Sequence, residues 1–261
     1  MIDEITNRLW SAQFKGEPCA PPSEHYPKLD VQTAYAVQDR LMSRRRRQGL
    51  HGGTTQAVGR KIGLTSRAIQ EWLGVSEPDF GVLLDDMIVA DGASAPTDVL
   101  MQPRIEAEVA FVLSGGLSGP GVTTADVIRA TDHILPALEI IDSRIADWNI
   151  TYEDTIADNA SSGLFVLGNH PRRLDDVDLR LAGMKMTKNG RVVSTGAGAA
   201  CLDHPINAVV WLANKLGEFE HKLHPGDIVL SGAVGPAVDV SSGDAVRAAI
   251  SGLGTVSVRF D

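Results

Sequence analysis

The sequence predicts an α+β protein, with helices at the N-terminus followed by a sheet sandwich or roll. Residues 3–14 and 31–47 carry apolar side chains at helical spacing, whereas from residue 58 onward short apolar runs are separated by glycine-containing turns. There is no internal repeat and no regular alternation of strands with helices, which disfavours a doubly wound nucleotide fold.

Size and composition fit an ordinary folded chain. The 261 residues are 43% hydrophobic and 22% charged, enough to bury a substantial core. We divide them into an N-terminal helical region, 1–57, and a main region, 58–261. The net charge of −9, from 24 basic and 33 acidic residues, argues against a general nucleic-acid binder, which must neutralise phosphates. An anionic substrate is still allowed, because a bound metal reverses the sign locally. Cys19 and Cys201 lie too far apart to suggest a zinc ribbon or a disulfide framework, and a reducing cytoplasm suits them. The N-terminus lacks a signal-length apolar run, and nowhere do about 18 apolar residues follow one another, so neither secretion nor membrane spanning is expected.

In chain order, Ile5, Leu9 and Trp10 form the buried stripe of the first helix, and Ala34, Val37, Leu41 and Met42 that of the second, with Pro21, Pro22 and Pro27 breaking the chain between them. The run Arg44-Arg45-Arg46-Arg47 reads as a solvated helix end, which a basic last turn favours. Residues 48–55 form a loop. Residues 58–64 form a strand, and 66–73 a short helix capped by Thr65 or Ser66 and stopped by Gly74. Pro78-Asp79-Phe80-Gly81 reads as a turn, residues 87–90 and 102–113 as strands, 124–133 as a helix and 135–141 as a strand. Asn189-Gly190 marks a hairpin, and Pro205 opens a helix that buries Ala208, Val209, Leu212 and Leu216. Closely spaced strands complete the chain. Gly196-Ala197-Gly198 and Gly232-Ala233-Val234-Gly235 open no helix within a strand–turn–helix unit and make poor phosphate loops.

The chemistry starts from the 102–113 strand, where alternation puts Glu106 and Glu108 on one face and Ile105, Ala107, Val109, Phe111 and Leu113 on the other. Two carboxylates about 7 Å apart on a largely buried strand need a compensating cation or proton. The alternative is a solvated face with separate salt bridges. Glu139 adds a third carboxylate in the apolar run Leu135-Pro136-Ala137-Leu138-Glu139. Three oxygen donors without a Cys or His pattern select a hard ion, and magnesium fits better than zinc. Lys61, on its strand, has its proton affinity either lowered by desolvation or restored by a nearby acid, and both suit acid–base work. Otherwise it is a lysine reaching solvent from a strand end. Asp79 and the polar run Asp158-Asn159-Ala160-Ser161-Ser162-Gly163 offer further groups for water or substrate oxygens, or serve as turn and cap residues.

These segments, with Gly63-Leu64-Thr65, Glu77-Pro78-Asp79-Phe80-Gly81, Gln102-Pro103-Arg104-Ile105-Glu106-Ala107-Glu108 and Pro225-Gly226-Asp227-Ile228-Val229-Leu230-Ser231-Gly232, resemble the 2-hydroxypenta-2,4-dienoate hydratases (2-keto-4-pentenoate hydratases) of the fumarylacetoacetate hydrolase superfamily. The resemblance runs from about residue 58 to the C-terminus, and the N-terminal helices fit in length. It implies a mixed β-sandwich roll with peripheral helices, a Mg²⁺ or Mn²⁺ ion held by Glu106, Glu108 and Glu139, Lys61 as the acid–base residue, and Asp79 and Ser161 beside the substrate or water. It also implies a small 2-hydroxy-dienoate or 2-oxo acid substrate from aromatic ring cleavage and assembly into a homo-oligomer. Docking of a neighbouring pathway enzyme goes with that setting. The sister activity, decarboxylation of 4-oxalocrotonate, uses the same chelate. A carbon–carbon hydrolase fits less well because no clear His–Glu pair is present to activate water. A catalytically silent binding partner is the alternative of another class.

Overall fold

The N-terminal helices form where apolar side chains recur every three or four residues, and they end where backbone chemistry demands. In this computed structural model, which describes residues 1–50 and 52–261 and all of their side chains but those of Trp72 and Leu73, helix α1 spans Ile2–Lys15 and stops at Gly16, whose φ of 66° is left-handed. A short α2, Pro22–His25, fills the proline-rich break, and α3, Val31–Arg47, opens on the Asp30 side chain, which accepts from Thr33 N–H. Ile5, Leu9, Ala34, Val37 and Leu41 enter the same hydrophobic core as the sheets. The expected loop over residues 48–55 includes His51, which lies outside the described residues.

The rest follows as β1 (Ala57–Gly63), α4 (Arg67–Leu73), β2 (Asp79–Leu84), β3 (Ile88–Val89), β4 (Ser94–Ala95), β5 (Arg104–Leu113), α5 (Thr124–Ala130), β6 (Thr131–Ile141), α6 (Tyr152–Ala157), β7 (Ser162–Leu167), β8 (Gly183–Lys188), β9 (Arg191–Ala197), α7 (Pro205–Glu218), β10 (Ile228–Ala233), β11 (Val238–Asp239), β12 (Ala245–Ile250) and β13 (Gly254–Phe260). One sheet has the order β2-β1-β10-β5-β6-β7-β3, with β11 also on β5, and the other β4-β13-β12-β8-β9. Pairing is mixed: β1 with β10, β3 with β7 and β4 with β13 are parallel, and the other neighbours antiparallel. Strands β12 and β13 pack across β6 and β7, so the architecture is the expected α+β sandwich roll.

Four local expectations need correction. Pro78-Asp79-Phe80-Gly81 is not a turn: Asp79 starts β2, and all six residues of that strand are buried, which erases the alternation that marks a half-exposed strand. The helix expected over 124–133 ends at Ala130, and β6 starts at Thr131; Thr123 caps the helix in a reciprocal box with Asp126. The α3 terminus is not wholly solvated, because Arg45 is buried and makes a two-pronged pair with Asp86 at 2.9 and 3.1 Å. Finally, Ser66 occupies the N-cap of α4 without a side-chain hydrogen bond. The Asn189-Gly190 hairpin is as expected, with φ of 52° and 79° at the two turn residues.

Candidate metal and active site

Five neighbouring strands of the larger sheet, in the order β2, β1, β10, β5, β6, bring the site together. Strands β5 and β6 pair so that Glu106 faces Glu139 and Glu108 faces Ala137. One oxygen from each of Glu106, Glu108 and Glu139 lies within 4.8 Å of the other two. Glu108 and Glu139 are fully buried, while Glu106 keeps partial access to solvent.

The β10 backbone adapts to this cluster. Its register with β5 shifts between Leu230 and Ala233, and the Gly232 N–H leaves the ladder to donate to Glu108 Oε2 at 2.7 Å. Gly232 has φ of 101°, and a Cβ there would lie 2.4 Å from Thr65 Oγ1, so glycine is required on both counts.

The carboxylates are left short of partners. Glu108 Oε1 and Glu139 Oε2 accept no hydrogen bond among the described residues, and Glu139 Oε1 faces only the Lys61 ammonium. Burial, with the neighbouring acids, pushes the Glu106 carboxyl up to about 7 and that of Glu108 well above its ordinary value. Burial also raises Glu139, although Lys61 opposes the shift. Orphaned carboxylate oxygens converging from two strands fit a hard divalent cation, which prefers oxygen donors.

Lys61 is buried on β1, with Nζ 3.2 Å from Glu139 Oε1 and donating to Ala160 O at 2.9 Å. Burial alone would lower its proton affinity, but Glu139, Asp79, Glu106 and Glu108 together outweigh it and hold the pKa above the ordinary lysine value. In the metal-free chain the neighbouring acids thus outweigh desolvation at Lys61. Asp79 is buried opposite Gly63 in the β1–β2 ladder. Its Oδ2 accepts from Thr155 Oγ1 at 3.3 Å, whereas Oδ1 has no partner among the described residues. Burial raises its pKa. A Cβ on Gly63 would come within 2.2 Å of Asp79 Oδ1 and 3.4 Å of Lys61 Nζ, so the bare glycine makes room for both groups.

Ser161 is reached through a feature the sequence does not advertise. Asn159, Ala160 and Ser161 follow α6 with φ of 56°, 50° and 51°, a run of three left-handed residues without a glycine, each costing on the order of 1–3 kcal/mol. The Asn159 side chain compensates by pairing with β2 like another strand, accepting from Val82 N at 2.8 Å and donating to Val82 O at 3.0 Å. A Cβ on Gly81 would lie 2.4 Å from Asn159 O, so the turn presses directly on β2. The turn points Ala160 O at Lys61 and sets Ser161 Oγ 3.2 Å from Thr155 Oγ1.

Asp158, which sequence offered as a group for water or substrate, is committed elsewhere. Its carboxylate accepts from Arg144 Nε at 2.6 Å and Arg144 N at 2.9 Å, and Arg144 also donates to Asp142 O and Ser162 O. The pair is buried and locks the turn to the end of β6. Sequence reasoning missed Thr155 and the Arg144–Asp158 pair; an Asn ahead of small residues is the only local hint of the left-handed turn.

Mixed sheets curled around a buried carboxylate cluster with an adjacent lysine make an architecture that could hold a metal ion. Residues 55–261 match the family described as fumarylacetoacetate (FAA) hydrolase C-terminal, and the chain belongs to that family. It is 47% identical over 259 residues to a 2-keto-4-pentenoate hydratase of Paraburkholderia xenovorans (strain LB400), covering 99% of this chain and 94% of that protein. It is 42% identical over 261 residues to a 2-hydroxyhexa-2,4-dienoate hydratase of Comamonas testosteroni, covering 99% and 97%. Among solved structures, a 4-oxalocrotonate decarboxylase from Pseudomonas putida G7, complexed with magnesium and adipate, superposes with a TM-score of 0.94 at 36% identity, covering 100% of this chain and 97% of that one. Among the described residues, no helix is long and apolar enough to cross a membrane.

Proposed function

We propose that this chain is a metal-dependent hydratase, a hydro-lyase that adds water to 2-hydroxypenta-2,4-dienoate or a substituted analogue to give a 4-hydroxy-2-oxo acid, in the meta-cleavage catabolism of aromatic compounds. The observation that carries the proposal is the convergence of Glu106, Glu108 and Glu139, with orphaned oxygens, beside Lys61. One ammonium cannot neutralise three largely buried carboxylates together with an acidic substrate. Glu106, Glu108 and Glu139 would hold Mg²⁺ or Mn²⁺. Bound there, the ion would supply a hard Lewis acid for the substrate's C1 carboxylate and C2 oxygen, where negative charge develops.

The remaining work is proton movement by the chain's own groups. Ketonisation removes the C2 hydroxyl proton and places one on C5, leaving a 2-oxo-3-enoate. The water oxygen then bonds to C4, and a proton is placed on C3. One carrier does not serve all of these positions. Lys61, held as an ammonium by Glu139 and Ala160 O, donates and recovers one proton. Asp79, with Oδ1 free among the described residues and its proton affinity raised by burial, carries another. Ser161 orients the attacking water. Burial of all three keeps bulk water from competing.

Full-length relatives named as hydratases, at 42% and 47% identity, support hydration over the sister reaction. The likeness to a decarboxylase, at 36% identity, supports the alternative of carbon dioxide loss from a diacid. Cytoplasmic placement, homo-oligomeric assembly and docking of a neighbouring pathway enzyme belong to the same proposal. To test it, chelator-stripped protein is offered freshly generated dienoate before and after Mg²⁺ or Mn²⁺ is restored, and the product is identified by NMR. Metal-dependent appearance of the 4-hydroxy-2-oxo acid is expected; turnover untouched by the chelator, or an unconsumed dienoate, would overturn it.

A further inference from the structure

Thr155, in the last turn of α6, has no part in the reaction as described so far, yet it lies between two groups that do. It is 5% exposed, and its single hydroxyl contacts Asp79 Oδ2 at 3.3 Å and Ser161 Oγ at 3.2 Å. A hydroxyl has one proton to give. When Asp79 is ionised its oxygens only accept, so the Thr155 proton points at Oδ2. Ser161 must then donate to Thr155, which leaves Ser161 Oγ with lone pairs alone for a third partner. When a proton sits on Asp79 Oδ2, both bonds reverse: Asp79 donates to Thr155, Thr155 donates to Ser161, and the Ser161 proton becomes free to give away. The protonation state of a carboxyl on β2 thus sets whether a hydroxyl on the left-handed turn acts as acceptor or donor.

We infer that Thr155 is a positioning residue that relays a proton between Ser161 and Asp79 during water addition. The inference rests on the hydratase reading and on the roles it gives to Asp79 and Ser161. In the step, a water O–H bond breaks and its proton passes to Ser161 Oγ. The Ser161 proton passes to Thr155 Oγ1, and the Thr155 proton to Asp79 Oδ2. The freed pair on the water oxygen forms the bond to C4, and the C3–C4 π pair shifts so that negative charge rests on the C2 oxygen. Asp79 becomes neutral as the substrate gains that charge, and nothing is oxidised or reduced. Two features favour a closed path. Asp79, Thr155 and Ser161 are all buried, so solvent does not bypass the middle hydroxyl. Ser161 is also fixed from both sides, its N–H donating to Asp158 O at 3.0 Å and its carbonyl accepting from Asp142 N at 2.8 Å.

The test compares wild type, Thr155→Val and Thr155→Ser, all with Mg²⁺. It reads kcat and KM for 2-hydroxypenta-2,4-dienoate, Mg²⁺ affinity by calorimetry, and kcat across H₂O/D₂O mixtures. Thr155→Val keeps the shape and removes the hydroxyl; it should lose about 10²-fold in kcat while KM and Mg²⁺ affinity change by no more than about twofold. Thr155→Ser should recover kcat to within about tenfold of wild type. The isotope profile should be curved for wild type, with several protons in flight, and linear for Thr155→Val. Wild-type kcat in Thr155→Val, an equal loss in Thr155→Ser, a loss of Mg²⁺ affinity, or a linear wild-type profile would each overturn the relay. If wild type forms no hydrated product, the hydratase reading falls and takes the relay with it; normal wild-type turnover with an unaffected Thr155→Val removes the relay alone.

Discussion

Glu106 and Glu139 stand directly opposite each other across the β5–β6 ladder, and Glu108 joins them from the next residue on the same face of β5. Like charges at opposed positions in an antiparallel pair destabilise it, and burial enlarges the penalty. Without a cation the sheet therefore carries an electrostatic defect at its centre, and the expectations below follow from relieving that defect or making it worse.

Glu108→Gln should move stability in opposite directions with and without metal. The amide keeps an oxygen for the Gly232 N–H and removes one of three clustered carboxyls, so the metal-free variant should unfold at a higher temperature than metal-free wild type. Wild type should gain about 2.7 kcal/mol from Mg²⁺ at ~100 times its Kd, and the variant should gain far less. Thermal unfolding with and without Mg²⁺ checks both signs. A less stable metal-free variant with an unchanged Mg²⁺ response would contradict them.

Metal binding should release protons at mildly acidic pH. The Glu106 carboxyl lies at about 7 against an ordinary 4.5, raised by burial and by Glu139, and it must ionise to act as a ligand. Apparent Mg²⁺ affinity should therefore fall as pH drops below about 7, by up to about tenfold per unit for one proton. The sign for metal-free stability follows from the same shift. The folded chain holds this proton more tightly than the unfolded chain, so the stabilisation is complete below pH 4.5 and is lost as pH rises through about 7. Calorimetry at pH 6 in buffers of different ionisation enthalpy measures the released protons, and none released would contradict the expectation.

Lys61→Met should retain metal and lose turnover by about 10²–10⁴-fold. Because Lys61 compensates Glu139 at 3.2 Å, the metal-free variant should also be less stable, with Mg²⁺ restoring much of the difference. Near-normal kcat would remove Lys61 from proton transfer.

Gly63→Ala tests the packing behind Asp79. The added methyl would meet Asp79 Oδ1 at 2.2 Å, so the carboxyl must move, and kcat should drop by about tenfold or more. Gly63 needs no left-handed φ, so the variant should fold, which circular dichroism checks. Unchanged kcat would mean that the Asp79 position is immaterial.

Much of this was legible in the chain. Helices α1 and α3 followed from their apolar stripes, the β8–β9 hairpin from Asn189-Gly190, and the acidic cluster from carboxylates set among apolar strand residues. Strand β2 was not legible, because a strand buried on every residue shows no alternation. Arg45 looked solvated because its partner Asp86 is 41 residues away in sequence. The Asn159–Ser161 turn depends on a bracket to Val82, and the opposition of Glu106 to Glu139 depends on strand register; both are long-range facts that local spacing does not encode.

The account is tested most directly by offering the protein and Mg²⁺ two substrates in separate reactions, the monoacid 2-hydroxypenta-2,4-dienoate and the diacid 4-oxalocrotonate, and following dienol absorbance together with released carbon dioxide. Rapid consumption of the monoacid to the 4-hydroxy-2-oxo acid, with little carbon dioxide from the diacid, is the result expected. Rapid carbon dioxide release from the diacid with negligible hydration of the monoacid would contradict it.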